Sequence, residues 1–335
     1  MRKTFFKSIS LVCAVIMATS ALSACQETEE TQETEKAPGR YTVTFNSNGG
    51  TPIPSVEVLE NQTVSEPVTP TRDNYIFHYW YGGGKQWTFH LQKITADTKL
   101  DAVWIPAHDV FDTLATEENP NEAYITGFAS QKALNTLTIP KTINGKTIIG
   151  LADDAFNGIH AEHAHTLILP STLKYVGKNA LSNIKTVHIE FTAPVHKIEE
   201  SAFENCVHLE EIELAEGMTT IPYQSFFGAS GLKEIKIPES VTTIEENAFY
   251  KCSSMSMIYL PSTLTTIEDS AFFGAENLGT VIYKGSKEAF EKINILGNNE
   301  ELLSANIYFY SETRVEGGNY WHYNENNEPE PWSKS

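Results

Sequence analysis

The sequence predicts a mainly β protein: a small β-rich, β-grasp-like module, then a repeat solenoid with a parallel sheet and a C-terminal cap. Three observations carry this. Phe203, Phe226, Phe249 and Phe272 recur every 23 residues, and Leu209, Leu232, Met255 and Leu278 keep the same interval, which is the period of a stacked structural unit. Short apolar alternations of period two, bounded by Gly, Pro and Asn, run through 41–104 and mark half-buried strands. With 41% hydrophobic, 11% aromatic and 20% charged side chains among 335 residues, the chain has globular composition.

Residues 1–24 read as an export signal. Arg2, Lys3 and Lys7 precede a mostly apolar stretch from Ile9 to Leu22 that is too short for a spanning helix. Leu22-Ser23-Ala24-Cys25 resembles a bacterial lipobox, and that resemblance implies lipidation of Cys25 and a membrane partnership through the lipid anchor. Two or more acyl chains, at about 0.8 kcal/mol per buried CH₂, anchor durably where one does not. Residues 25–40 then comprise the lipidated Cys and an acidic tether with five Glu and no aliphatic side chain larger than Ala37. Such a segment cannot bury a core, and a solvated spacer is favoured over an acidic interaction tail. The whole chain carries a formal net charge of -19, which repels phosphate backbones and argues against a nucleic-acid partner. Loss of 1–24 leaves 21 basic against 43 acidic side chains, a net charge of -22.

The module is placed at 41–104. Tyr41, Val43 and Phe45 alternate with Thr before Asn48-Gly49-Gly50, while Tyr75 to Tyr81 and Leu100 to Trp104 supply two further strands. The V-x-F-x-x-N-G-G opening, Pro67, Pro70, Tyr75, Phe77, Trp80 and the Leu100–Trp104 close resemble the Listeria-Bacteroides repeat, or internalin B-repeat, of bacterial surface proteins. Asn74 and Tyr79 depart from it, standing where that family usually has Gly. Asn tolerates positive φ, whereas Tyr79 implies a locally altered turn or contact. Gly82-Gly83-Gly84-Lys85 lacks the following Ser or Thr and the upstream Gly of a phosphate loop, so it is a turn.

Residues 105–122 are expected as a linker, and 123–283 as the solenoid. A unit such as ESVTTIEENAFYKCSSMSMIYLP holds a short β-branched stretch, an Ala-Phe turn and an L-x-x-I-x-L strand often closed by proline. Earlier copies drift in length, yet Leu137 and Ile139, Leu167 and Leu169, Ile235 and Ile237, and Ile258 and Leu260 keep the phase of inward ladders. This pattern resembles BspA-type leucine-rich repeats of bacterial surfaces. Residues 284–335 break the period, offer a helical stretch near 286–294 and end in aromatic clusters; a cap is expected, because a solenoid end otherwise exposes an unpaired edge.

Signatures of enzymes are missing. No H-E-x-x-H, C-x-x-C, G-x-S-x-G or G-x-G-x-x-G occurs, so neither an enzyme nor a cofactor is expected. The cluster of His160, Glu162, His163 and His165 sits in a lengthened repeat and reads as a solvated loop rather than a metal site. Cys206 and Cys252 are two repeats apart, about 10 Å at 4.8 Å per rung, too far for a disulfide. The expected ligand-binding set is the outward strand row: His188, Glu211, Glu213, Glu234, Lys236, Met257 and Tyr259. Side chains alternate across a strand, so these face away from the stacked Ile and Leu. Glu213 should face Lys236 and Glu211 should face Glu234. The carboxylate pair has the roughly 5 Å spacing of retaining glycosidases but lacks an enclosing pocket. The resemblances imply an extracytoplasmic, lipid-anchored protein that binds protein or glycan ligands in adhesion or in host or community contact. Envelope service or nutrient capture is the alternative, and a carbohydrate-active enzyme the less favoured one.

Overall fold

The computed structural model describes residues 39–128, 136–158, 166–184, 188–315, 318–326 and 329–332. Cys25, the tether up to Pro38 and the His160–His165 cluster lie outside the described residues. The protein is mainly β, with a small β-sheet module followed by a parallel β-solenoid of about 7 turns.

In the module, β1 (Arg40–Asn46), β2 (Val56–Leu59), β3 (Tyr75–Gly82), β4 (Lys85–Gln86) and β5 (Thr98–Pro106) form one sheet in the order β2-β1-β5-β3-β4. Strand alternation buries Val43, Phe45, Phe77, Trp80, Leu100 and Ala102 together, and Ile53, Val64 and Ile94 come from loops to cover them. Gly83 and Gly84 hold φ of 59° and 81° between β3 and β4, the two-residue hairpin turn that requires positive φ twice. The β3–β5 pairing slips by one residue between Phe77 and Tyr79, a β-bulge beside the position that departs from Gly. The Asn-Gly-Gly turn has a packing reason too. Trp104 Nε1 donates to the Ser47 carbonyl at 3.0 Å, and a Cβ on Gly50 would sit 2.5 Å from Trp104 Cζ2.

Asn74 is a junction residue. Its φ is 65°, its N–H donates to the Thr142 carbonyl at 2.9 Å, and its own carbonyl accepts from Ala107 N–H at 2.8 Å. Its Oδ1 also accepts from Gly145 N–H at 2.9 Å, a bond a glycine could not offer. Ile76 and Ile105 meanwhile belong to the solenoid core, so sheet and solenoid share buried surface within the unit Gly39–Ser335. The linker expected at 105–122 is folded instead. A 3-10 turn at Ala107–Asp109 leads into β6 (Phe111–Ala115), which pairs antiparallel with β7 (Glu122–Phe128). Buried Val110 and Phe111 show why: the first solenoid strand has an edge and a core to cover.

Each solenoid turn contributes to two ladders. One ladder holds the strands Thr166–Leu169, His188–Phe191, Glu234–Lys236, Met257–Leu260 and Thr280–Tyr283, and the other holds two-residue strands such as Tyr175–Val176, Thr243–Ile244 and Thr266–Ile267. Pairing between turns is parallel. The period-23 phenylalanines lie at the turn between ladders, fully buried, with Phe203, Phe226, Phe249 and Phe272 stacked at 5.2, 5.3 and 5.3 Å.

The solenoid does not stop at 283. Asn294–Ile295 and Asn306–Tyr310 extend both ladders in register, so 284–310 forms a further turn and the expected boundary moves. The helical stretch is a single turn, Lys287–Phe290, whose Phe290 fills the core between Tyr283 and Phe309. Tyr320–Tyr323 and Pro329–Pro331 then close the edge. Trp321 is buried there and donates from Nε1 to the Tyr283 carbonyl at 2.9 Å. Gly50→Ala forces Trp104 or the turn to move and should destabilise the chain by about 1–3 kcal/mol, read as a lower urea midpoint.

Candidate functional site

The outward row forms as the alternation requires. Glu213 bridges Lys236, which puts Glu211 one rung from Glu234, about 4.8 Å along the ladder. Glu234 pairs with Met257 and Lys236 with Tyr259 in the next strand. Glu211, Glu213, Glu234 and Lys236 are exposed, whereas Met257 and Tyr259 are half-buried. His188 begins its strand and pairs through the backbone with Thr166. Lys236 Nζ stands 5.2 Å from the Tyr259 ring centroid, a cation–π pair. Burial, and then the neighbouring Glu234 charge, push the Tyr259 hydroxyl pKa above its ordinary value. The next outward residue, Ile282, is only 5% exposed, so the open row ends at Tyr259.

One feature of this face is absent from the sequence reading. No strand pairing joins His188–Phe191 to the Glu211–Leu214 segment among the described residues; Leu214 instead bridges Val195, and Ala215 N–H donates to the Val195 carbonyl at 2.9 Å. The second ladder breaks at the same turn, between Lys197–Ile198 and Thr220–Ile221. Proline explains both breaks. Pro170 and Pro261 directly follow their strands and Pro238 comes one residue after its own, but Phe191 is followed by Thr192-Ala193 before Pro194, so the chain continues to Val195 inside the ladder. On the other side, Glu199, Glu245 and Glu268 each donate an N–H to the preceding turn. Pro222 holds the equivalent place and has none to give.

The break opens a cleft of about 410 Å³ lined by Glu190, Phe191, Glu211, Glu213, Glu234 and Lys236 over Ile189, Ile212 and Ile235. It therefore gathers four of the expected site residues, adds Glu190 and Phe191, and leaves Met257 and Tyr259 on its flank. Four carboxylates against one ammonium make it electronegative. All four carboxylates are exposed. Among the described residues no group of His, Cys, Asp and Glu could hold a metal ion, and no helix is long and apolar enough to cross a membrane.

A second array on the turn side also escapes the sequence reading. Phe227, Tyr250 and Phe273 stack at 4.7 and 5.2 Å with ring planes within 20°, and Phe273 is 41% exposed. The signal was the residue after each repeated Phe, where Glu204 gives way to aromatics. Cys206 and Cys252 are free and buried, with Ala229 and Ala275 buried at the same place in other turns. Their thiols donate to the carbonyls of Leu181 and Phe226, and burial pushes both pKa values well up. In native protein neither should react with a thiol reagent at pH 8, and both should react in guanidinium; labelling of either in the native state contradicts this.

Comparison with known proteins finds a family match for each of the two parts of the fold. Residues 41–103 match the Listeria-Bacteroides repeat domain. Two proteins of Evansella cellulosilytica, both named as membrane proteins and one as Gly-rich, are 34% identical over 67 residues, 19% of this chain. The match spans only 8% and 10% of their lengths. Among solved structures, a leucine-rich repeat protein of T. pallidum aligns at 23% identity and a TM-score of 0.49, covering 57% of this chain and 85% of that one. A leucine-rich cell surface protein of Faecalibacterium prausnitzii aligns at 25% identity and 0.37, covering 54% and 40%. The BspA type leucine-rich repeat region matches in six copies over 122–253 and 185–295. With 122–295 amounting to more than half of its 335 residues, the chain belongs to the BspA-type leucine-rich repeat family.

Proposed function

We propose that this chain is a cell-surface lipoprotein whose solenoid binds a macromolecular ligand, in adhesion or in host or community contact, along its sheet face. The observation that carries the reading is the broken ladder: an open, acidic cleft continuous with the Lys236–Tyr259 pair. Its charge favours a protein ligand presenting basic side chains. An aromatic ring beside a charge, flanked by near-neutral contacts, is the composition of interface anchors. Exposed carboxylates in an open cleft support binding rather than catalysis, and a broad sheet face suits a macromolecule better than a captured nutrient.

Retention at the membrane rests on the lipobox and the acidic tether behind it. Cys25→Ala should abolish acylation and move the protein from the detergent phase to the aqueous phase on phase partitioning; an unchanged detergent-phase protein overturns the anchor.

The binding reading is tested by presenting the protein to matrix proteins, cell-wall material and glycans. Glu211→Lys, Glu234→Lys and Tyr259→Ala should each weaken capture of the identified partner about tenfold, equivalent to 1.4 kcal/mol, with little change in melting temperature. Normal binding by all three places recognition elsewhere.

A further inference from the structure

We propose that the cleft between the β-module and the first solenoid turns is a binding site for a carboxylate-bearing sugar. This is a second site, on the opposite charge logic from the sheet face. The cleft, about 660 Å³, is walled by Gly49-Gly50-Thr51 and Thr71-Arg72-Asp73 from the module. The solenoid supplies Thr138 to Lys141, Ile168 to Ser171, and Thr192. Its volume lies within the roughly 300–1,000 Å³ typical of small-molecule sites, and such sites favour junctions between folded units.

Three observations point to the ligand. In a chain of net charge -19, this cleft brings together Arg72 and Lys141, and neither has an ion-pair partner among the described residues. Arg72 is half-buried, with its guanidinium carbon 3.9 Å from the Tyr75 ring centroid and 5.9 Å from that of Trp104. The rings hold the planar fork in place, leaving its N–H groups for a bidentate carboxylate. Gly49, at φ 90°, borders it closely; a Cβ there would meet Arg72 Nε at 3.4 Å. The third observation is independent of charge. Thr138 lines the cleft at 8% exposure, and its Oγ1, closed to solvent, has no hydrogen-bond partner, a buried hydroxyl that a ligand in the cleft would satisfy only if the side chain turned outward.

The remaining lining selects the class of anion. The lining combines the hydroxyl-bearing Thr51, Thr71, Ser171 and Thr192, the last already donating to the Leu169 carbonyl at 2.7 Å, with apolar Ile139, Pro140 and Pro170, a mixture suited to a ring that carries both hydroxyls and C–H groups. Asp73, the single carboxylate in the lining, can accept from sugar hydroxyls. Two cations suit one carboxylate and are too few for a polyphosphate.

The test uses the full chain solubilised in detergent, titrated calorimetrically with trigalacturonate and with 3′-sialyllactose, and with maltotriose and lactose as neutral counterparts. At least one acidic sugar should bind about tenfold or more tightly than its neutral counterpart; the two arms tell a uronate from a sialate. Arg72→Gln should lose at least tenfold and exposed Lys141→Gln several-fold, while Glu211→Lys in the sheet-face cleft leaves sugar binding unchanged. That last variant separates failure of this site from failure of the sheet-face reading. Equal affinity for acidic and neutral sugars, no binding of either acidic sugar, or undiminished binding by both Arg72→Gln and Lys141→Gln overturns the proposal. If Arg72→Gln lowers the melting temperature substantially, Lys141→Gln decides alone.

Discussion

Everything in the solenoid depends on backbone hydrogen bonds between consecutive turns, which hold them one strand spacing apart, about 4.8 Å. Phe203 N–H donates to Ser225 O, Phe226 N–H to Ala248 O and Phe249 N–H to Ala271 O at 2.8, 2.9 and 2.8 Å. At this spacing every inward position lies on its own copy in the next turn, so aromatic rings must stack face to face and small sites must stay small. The ladder also holds residues that would avoid such geometry alone. Ser201, Gln224, Asn247 and Ser270, each two residues before a stacked Phe, have φ between 54° and 58°. For a residue such as Gln224 this costs about 1–2 kcal/mol, offset by the bonds that the turn completes on both sides.

Both proposed sites lie where this constraint is relaxed. Along uninterrupted turns the sheet face is flat and its side chains project as rows. At Pro194 and Pro222 two ladders lose their regular strand pairing together while the Phe203–Phe226 stack continues, and the acidic cleft opens on the sheet side of that break. The other concavity arises by addition: β6 covers the first edge, Asn74 clamps the module to the Thr142–Gly145 turn, and the space between module and solenoid remains open. One cleft is electronegative and the other gathers Arg72 and Lys141, so the two proposed sites suit ligands of opposite charge.

Periodic features were legible in the sequence because periodicity is what stacking requires. The inward ladders, the Glu213–Lys236 register and the alternation of the 41–104 strands follow from spacing alone. What interrupts a period was harder to read. The displaced proline in Phe191-Thr192-Ala193-Pro194 was visible, but its consequence depends on which N–H the neighbouring turn lacks. Positive φ at Gln224 or Lys251 has no signal in residue type, since tertiary bonds impose it. Asn74 was read through its backbone tolerance, while its side-chain bond to Gly145 spans 71 residues. The turn beyond 283 was hidden because Asn294–Ile295 and Asn306–Tyr310 keep the ladder without the repeated Leu and Phe.

Stacked repeats are stabilised by their own turns and by each interface with the next, so stability is approximately a sum of nearest-neighbour terms. Among the described residues, the interface between the turns ending near Ile198 and Ile221 has no pairing between named strands on either ladder, and on the sheet side keeps only the single Val195–Leu214 bridge. It is held chiefly by the Phe203–Phe226 stack and by bonds such as Ser201 N–H to Tyr223 O at 3.1 Å. It is therefore a weak link in the array, and it is also the wall of the acidic cleft. Evolutionary repair was available through a proline placed directly after Phe191 and a donor in place of Pro222, each of which neighbouring turns already use. A ligand that contacts Glu190 on one wall and Glu211 or Glu234 on the other replaces cross-strand bonds that the chain itself does not make. On the proposed reading, binding and local stability are coupled at this one interface through the geometry of the break.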